Sequence, residues 1–305
     1  MDTAIPFFDK KALLVVNPVA GRKTIQRSIC GVVRCLMDGG YLVTTAVTGA
    51  RTEAYSLCAS IGSDYDLIVC AGGDGTVNEC ISGMADVELR RPLGYIPCGS
   101  TNDFALSNSL PSDPLKAAQA VVDGRLRQFY IGRFAERYFL HHALFGAFTN
   151  LAYSTDQNQK NLLGFGAYVL DGLKQLPSLH PYSMTMIADG VKEEGEYLFG
   201  AVSVNRNIAG LFLLPEERIG YADGRLAAVL IKPPRSVADW DELGRAFLSG
   251  DPDCSMIKVL VGERLEVSTP GGMEWSLDGE GSGVREQVTI TAKRGFLKLQ
   301  GRRKI

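Results

Sequence analysis

Histidine is nearly missing from this chain. Only His141, His142 and His180 occur in 305 residues, too few to supply a zinc centre or a histidine-based nucleophile triad well. Cysteine is present but unpatterned: the seven residues include no Cys-x-x-Cys pair, and Cys70 and Cys80 lie in apolar segments, which predicts reduced core residues rather than disulfides or metal ligands. No window approaches 18 uninterrupted apolar residues, and Met1-Asp2-Thr3-Ala4-Ile5-Pro6 lacks the basic and apolar regions of a signal peptide. A soluble, cytoplasmic protein is expected. A net charge of −2 argues against nucleic acid as a partner, and the length allows two domains, each with its own core.

The stretch from Asp66 to Met84 reads as a buried strand, a glycine turn and a helix. Leu67 to Cys70 form the apolar run of a parallel strand covered on both faces, and Gly72, Gly73 and Gly75 stop it. Without β-carbons the turn lets backbone N–H groups approach a phosphate, and the helix that follows aims its positive end at the same place. Asp74 is the odd member, since a carboxylate repels a bare phosphate; it points to a magnesium nucleotide.

Upstream, Lys11 to Val16 form a first strand running into the turn Asn17-Pro18-Val19-Ala20-Gly21-Arg22-Lys23, a second candidate phosphate loop without the Walker spacing. A helix over about 24–38, a strand over 41–47, Thr48-Gly49 and a helix over about 51–61 lead to the central strand. Downstream, Pro92 to Pro97 make another strand, followed by a third glycine turn, Cys98-Gly99-Ser100-Thr101-Asn102-Asp103-Phe104-Ala105, and a helix over 114–124. Strands alternating with helices make a parallel α/β sheet, which binds ligands beyond the carboxyl ends of its strands, where Asn17, Thr48 and Asp74 all fall. From about Gln128 the texture changes to short alternating segments, 137–143, 182–188, 197–204, 226–231, 256–261 and 265–268, broken by apolar and surface helices over 164–176 and 236–248. The predicted fold is therefore an N-terminal parallel three-layer nucleotide-binding α/β domain, residues 1–128, with a C-terminal, mainly antiparallel β-sandwich domain, residues 129–293. The segment from about 294 is expected to return to the first domain; its basic end, Arg302-Arg303-Lys304, is a solvated tail or a contact for anionic lipid.

Three strings, 17–21, 72–79 and 97–105, together resemble the diacylglycerol-kinase catalytic family, which includes bacterial soluble diacylglycerol kinases and YegS-like lipid kinases. The bacterial soluble branch fits best, and Asn205 to Gly210, Pro215, Asp223-Gly224 and Leu277-Asp278-Gly279-Glu280 follow in the order that family shows. The resemblance implies ATP-dependent phosphorylation of a membrane lipid, with diacylglycerol leading as acceptor, by an enzyme in transient contact with the membrane surface. It implies that Asn17, Pro18, Val19, Ala20, Gly21, Arg22, Thr48, Gly72, Gly73, Asp74, Gly75, Thr76, Val77, Asn78 and Ser100 contact ATP. It further implies that Asp223 and the backbone of Arg225 belong to a Mg²⁺ loop, that Glu280 is the general base, and that Asp74 and Asp103 are the other catalytic carboxylates. A base of this kind suits the chemistry, because a lipid hydroxyl must lose its proton as it attacks phosphorus. Phe145, Phe148, Leu162, Leu163, Phe165 and Tyr168 are candidates for the apolar path of the lipid.

Three departures from the family's pattern bear on activity. Tyr130 stands where these enzymes commonly place Asp, and Arg22 where Lys is common. The loop before Asp223, from Glu216 to Ala222, is also longer than usual. The rival readings are an NAD kinase, which shares the Gly-Gly-Asp-Gly turn, and a nucleotide-binding regulator without catalysis. A homodimer and a monomer are both compatible with the sequence.

Overall fold

The computed structural model describes residues 8–21, 24–146, 180–209, 211–217, 219 and 223–299. They divide into two compact units, residues 1–129 with 294–305, and residues 130–293.

The first unit is built on strands β1 (Lys10–Val16), β2 (Tyr41–Val47), β3 (Leu67–Gly72) and β4 (Leu93–Pro97), all parallel, in the spatial order β2-β1-β3-β4. Beyond β4 the end of the last strand adds a further parallel pairing, Leu297 with Leu93. Connections run through α1 (Thr24–Asp38), α2 (Glu53–Ile61) and α3 (Asp74–Asp86), and α4 (Asp103–Ser107) and α5 (Pro114–Asp123) follow β4. All six residues of β3 are buried, as its unbroken apolar run predicts. Alternate residues face opposite ways: Leu67, Val69 and Ala71 join the core beneath α1 and α5, while Cys70 meets Cys80 of α3 on the other side. That alternation is what makes three layers. Asp113 starts α5 by accepting from the N–H groups of Leu115 and Lys116, with Pro114 in the first turn.

The second unit is mainly antiparallel. One path runs β14 (Ile257–Gly262), β13 (Leu226–Ile231), β10 (Phe199–Ser203), β7 (His142–Gly146), β15 (Arg264–Leu277), β16 (Glu280–Leu299). β15 also pairs β8 (Tyr182–Ala188), which pairs β9 (Val191–Tyr197); β5 (Arg125–Phe134) pairs β6 (Arg137–Phe139). A small ladder joins β11 (Asn207–Ile208) to β12 (Phe212–Leu213). Inward residues of β7, β8, β10, β13 and β15 pack around Trp275, and the opposite face of β10 and β13 is covered by α6 (Val237–Ser249), whose Leu243 and Ala246 are buried. Ser236 and Asp239 form a capping box at the start of α6.

Three expectations change. The strand expected over 137–143 is two strands, because the backbone N–H groups of Leu140, His141 and His142 turn away to a side chain, that of Asp278. The short strand expected over 265–268 is the first part of 14-residue β15, which passes through a register irregularity at 268–273 where Gly271 and Gly272 have φ of +82° and +79°. β5, β9 and the 20-residue β16 were not expected as strands. The apolar helix expected over 164–176 lies outside the described residues.

Candidate active site

In the first unit the three glycine turns meet backbone to backbone. A β-carbon on Gly21, which has φ +50°, would stand 2.5 Å from the Cys98 carbonyl oxygen, and one on Gly99 would stand 2.6 Å from the α-carbon of Gly73. Only glycine allows that approach. Side chains then stitch the turns together. Asn17 donates through Nδ2 to the Thr76 hydroxyl at 3.0 Å and accepts from the Val19 N–H at 3.1 Å. Asn102 holds both backbone groups of Gly99, accepting from its N–H at 2.7 Å and donating to its carbonyl at 2.9 Å. Tyr95 donates to the Gly72 carbonyl at 3.2 Å, and its phenol is pushed upward in pKa, first by burial and then by nearby acidic groups. Thr48 is buried, its hydroxyl on the Val16 carbonyl at 3.3 Å.

Asp74 is fully engaged. Its carboxylate accepts from the N–H of Phe104 at 2.9 Å, the N–H of Asp103 at 3.0 Å and the hydroxyl of Thr101 at 3.1 Å. It therefore ties the second turn to the third and covers the start of α4. Gly75 is the glycine of this group that faces outward, with nothing within 4 Å of where its β-carbon would be. At the start of α3, Gly73 provides no side-chain cap for the first-turn N–H groups beside Gly75. Ser100 is exposed nearby in the sequence of the third turn, and Asn78 accepts from Ser82 at 3.0 Å.

In the second unit, Asp278 and Gly279 have φ of +44° and +97° and form a two-residue turn between the paired residues Leu277 and Glu280. Asp-Gly at two such positions is the preferred chemistry for this hairpin. Glu280 is the first residue beyond it, its side chain 61% exposed, with Arg137 Nη2 at 3.8 Å. His142 is partly buried and neutral: desolvation of its imidazole first, and then His141, lower its pKa to about 3. Its Nδ1 accepts from the N–H of Ala209 at 3.4 Å.

Asp223 carries a guanidinium. Arg225 places Nε at 2.9 Å and Nη2 at 2.8 Å from Asp223 Oδ2, and its N–H is 2.9 Å from Oδ1. Tyr130 lies over the next residue: a β-carbon on Gly224 would be 3.1 Å from its ring. Among the described residues no group of three or more His, Cys, Asp or Glu is placed to hold a metal.

The diacylglycerol kinase catalytic domain profile matches residues 11–134. The whole chain is also similar to the diacylglycerol kinase of Bacillus subtilis strain 168, 32% identical over 279 residues that cover 90% of this chain and 91% of that protein. The chain belongs to the diacylglycerol kinase family. That of Staphylococcus saprophyticus is 29% identical over 283 residues, covering 90% of each chain. Two Bacillus anthracis str. Sterne crystal structures named for a diacylglycerol kinase align at TM-scores of 0.75 and 0.70, covering 95% of this chain and 97% of theirs; at 23% and 21% identity they show the shared fold. Membership in the diacylglycerol kinase family makes the chain a lipid kinase and removes support from the NAD-kinase reading. No helix among the described residues is long and apolar enough to cross a membrane.

Arg22, Phe148, Leu162, Leu163, Phe165 and Tyr168 lie outside the described residues. Phe145 is 0% exposed, with its ring 5.1 Å from Trp275 and 6.1 Å from Tyr182, so its surroundings are those of a core residue. Asn102, Tyr95 and Arg137 were not singled out from the sequence. Asn102 carried a signal, an amide within a glycine turn, whereas Tyr95 reads as one more strand residue and Arg137 as a surface charge.

Proposed function

We propose that this kinase transfers the γ-phosphate of ATP to the free hydroxyl of diacylglycerol, giving phosphatidic acid and ADP. The outward-facing Gly75 at the uncapped start of α3, in a frame of three mutually packed turns, is the observation that carries the nucleotide half. The N–H groups there and the exposed Ser100 would receive the phosphates, with Asn17 to Gly21, Thr48 and Gly72 to Asn78 shaping the walls.

Glu280 is the base in this proposal. Its exposed carboxylate takes the acceptor proton as the hydroxyl oxygen bonds to the γ-phosphorus; the bond from phosphorus to the bridging oxygen breaks, and ADP leaves with that electron pair. Charge neutralisation at the phosphates is what a Mg²⁺ carried by ATP would supply. A second Mg²⁺ at Asp223 does not fit the arrangement, because Arg225 already engages that carboxylate through three contacts. No step is routed through a metal in that loop. Asp103, whose backbone N–H donates to Asp74, is the next carboxylate to test as base should Glu280 fail.

Incubating the purified chain with γ-labelled ATP and a total lipid extract tests the acceptor. Label is expected in phosphatidic acid. Label in another lipid replaces diacylglycerol as the substrate, and ATP binding with no labelled lipid of any kind ends the proposal. Glu280→Gln should lower turnover by roughly 10² to 10⁴ while ATP affinity holds, and near-normal turnover would remove Glu280 as the base.

A further inference from the structure

An Asp in a tight Asp-Gly hairpin turn ordinarily needs no partner beyond its own turn and solvent. Asp278 behaves differently. Both of its carboxylate oxygens are taken by a separate segment: the N–H of Leu140 donates to Oδ2, and those of His141 and His142 donate to Oδ1 at 2.8 and 2.9 Å. Asp278 returns its own N–H to the His142 carbonyl at 2.9 Å. Three converging N–H groups make a small anion-binding concavity between β6 and β7, and the anion it holds is a side chain of this chain.

The consequence falls two residues later. Glu280 follows the turn directly, and Arg137 of β6 closes on it from the same segment, donating through Nη1 to the Gly281 carbonyl at 3.0 Å and holding Nη2 3.8 Å from Glu280 Oε2. The backbone that carries Glu280 is therefore fixed before it by Asp278 and after it by Arg137. The side chain it carries is 61% exposed, so a carboxylate open to solvent sits on a backbone held at both ends. For proton abstraction that combination is useful, since a displacement of ~1 Å at a reacting group can cost about 10²-fold in rate.

We infer that Asp278 is a positioning residue, which sets the geometry of Glu280 by anchoring the hairpin turn to the 140–142 backbone, with Arg137 as the second anchor. This rests on Glu280 acting as the base. A neutral amide cannot replace the carboxylate, because its NH₂ group would face an N–H donor. Asp278→Asn should thus lower kcat about 10²-fold with the KM for ATP unchanged.

The decisive experiment is a double-mutant cycle on the full chain, with a short-chain diacylglycerol in detergent as acceptor and far-UV circular dichroism confirming folding. Asp278→Asn combined with Glu280→Gln is expected to be no slower than Glu280→Gln alone, since a positioning effect has nothing left to act on. Multiplied losses would overturn the positioning role and make Asp278 independent of the base. Normal kcat in Asp278→Asn, with Glu280→Gln inactive, overturns the positioning role alone. Near-normal turnover in Glu280→Gln overturns the base assignment and this inference with it. Should Asp278→Asn not fold, Arg137→Gln serves the same cycle: a smaller kcat loss that vanishes in the Glu280→Gln background is expected, and full additivity overturns the anchor.

Discussion

Replacing Asp74 by Asn separates two roles that the sequence alone merges. A charged residue beside phosphates predicts lost transfer with an intact fold, since the turn geometry belongs to the glycines. The structure adds a mechanical role, because both oxygens hold the 101–104 segment. An Asn can keep one of the two N–H bonds; its amide group then faces the other N–H, while the Thr101 hydroxyl can rotate to accept. The loss is one charge-assisted bond, worth ~1.5–3 kcal/mol when well shielded, plus the weakening of a second from charged to neutral. Asp74 is half-buried, so solvent reduces the total to about 1–3 kcal/mol. Against a typical stability of ~5–15 kcal/mol the chain stays folded, but the melting temperature should fall by roughly 3–10 °C. Thermal melts followed by circular dichroism, run beside binding of a fluorescent ATP analogue, measure both roles, with Thr101→Val as a control expected to cost under about 1 kcal/mol. An Asp74→Asn protein that melts with the parent yet loses all transfer would refute the mechanical role and return Asp74 to the phosphates.

Gly75→Ala and Gly99→Ala should fail differently: the first adds a methyl in open space at a helical position and should melt normally while losing ATP affinity, whereas the second drives a β-carbon to 2.6 Å from Gly73 and should lose stability too. Equal melting temperatures for the two variants would show that the turns are not packed as described. His142 sets a pH dependence, because its pKa is about 3 in the folded chain against an ordinary value of 6.5. The unfolded chain takes up that proton first as pH falls, so the contribution is complete above 6.5 and declines below it, by about 2 kcal/mol at pH 5. His142→Asn, which can still accept from Ala209, should melt with less loss between pH 7 and 5 than the parent; an identical loss would place the acid sensitivity elsewhere. Asp223→Ala should leave the Mg²⁺ concentration for half-maximal transfer unchanged, and a raised requirement would mean that Arg225 yields to a metal there.

The α/β unit was legible because its signals are local and repeated. Each buried strand is a continuous apolar run, each ends in a turn rich in glycine or small polar residues, and Asp113-Pro114 marks a helix start outright. The second unit was harder for identifiable reasons. β9, Val191–Tyr197, is a half-exposed strand of Lys and Glu with no apolar alternation to find. Thr269-Pro270-Gly271-Gly272 reads as a turn, yet the strand continues through it as an irregularity, so a 14-residue element was seen as a 4-residue one. In the site, the glycines announced themselves and the partners of the acids did not. That Asp74 faces Phe104, thirty residues on, and Asp278 faces Leu140, far upstream, depends on how turns distant in sequence fold against each other.

The pairing of Leu297 with Leu93 has a consequence for biosynthesis. The two residues are 204 positions apart (297 − 93), so while the chain is being made the free side of β4 has no partner until the second unit has been translated in full. At ~5–20 residues per second that interval is about 10–40 s. Throughout it the strand Leu93-Gly94-Tyr95-Ile96-Pro97, wholly buried in the finished protein, presents a bare hydrogen-bonding edge to its surroundings. The nascent kinase is thus most open to mispairing with a second copy of itself on the ribosome, and a C-terminal truncation that removes the 294–299 segment would make that transient exposure permanent.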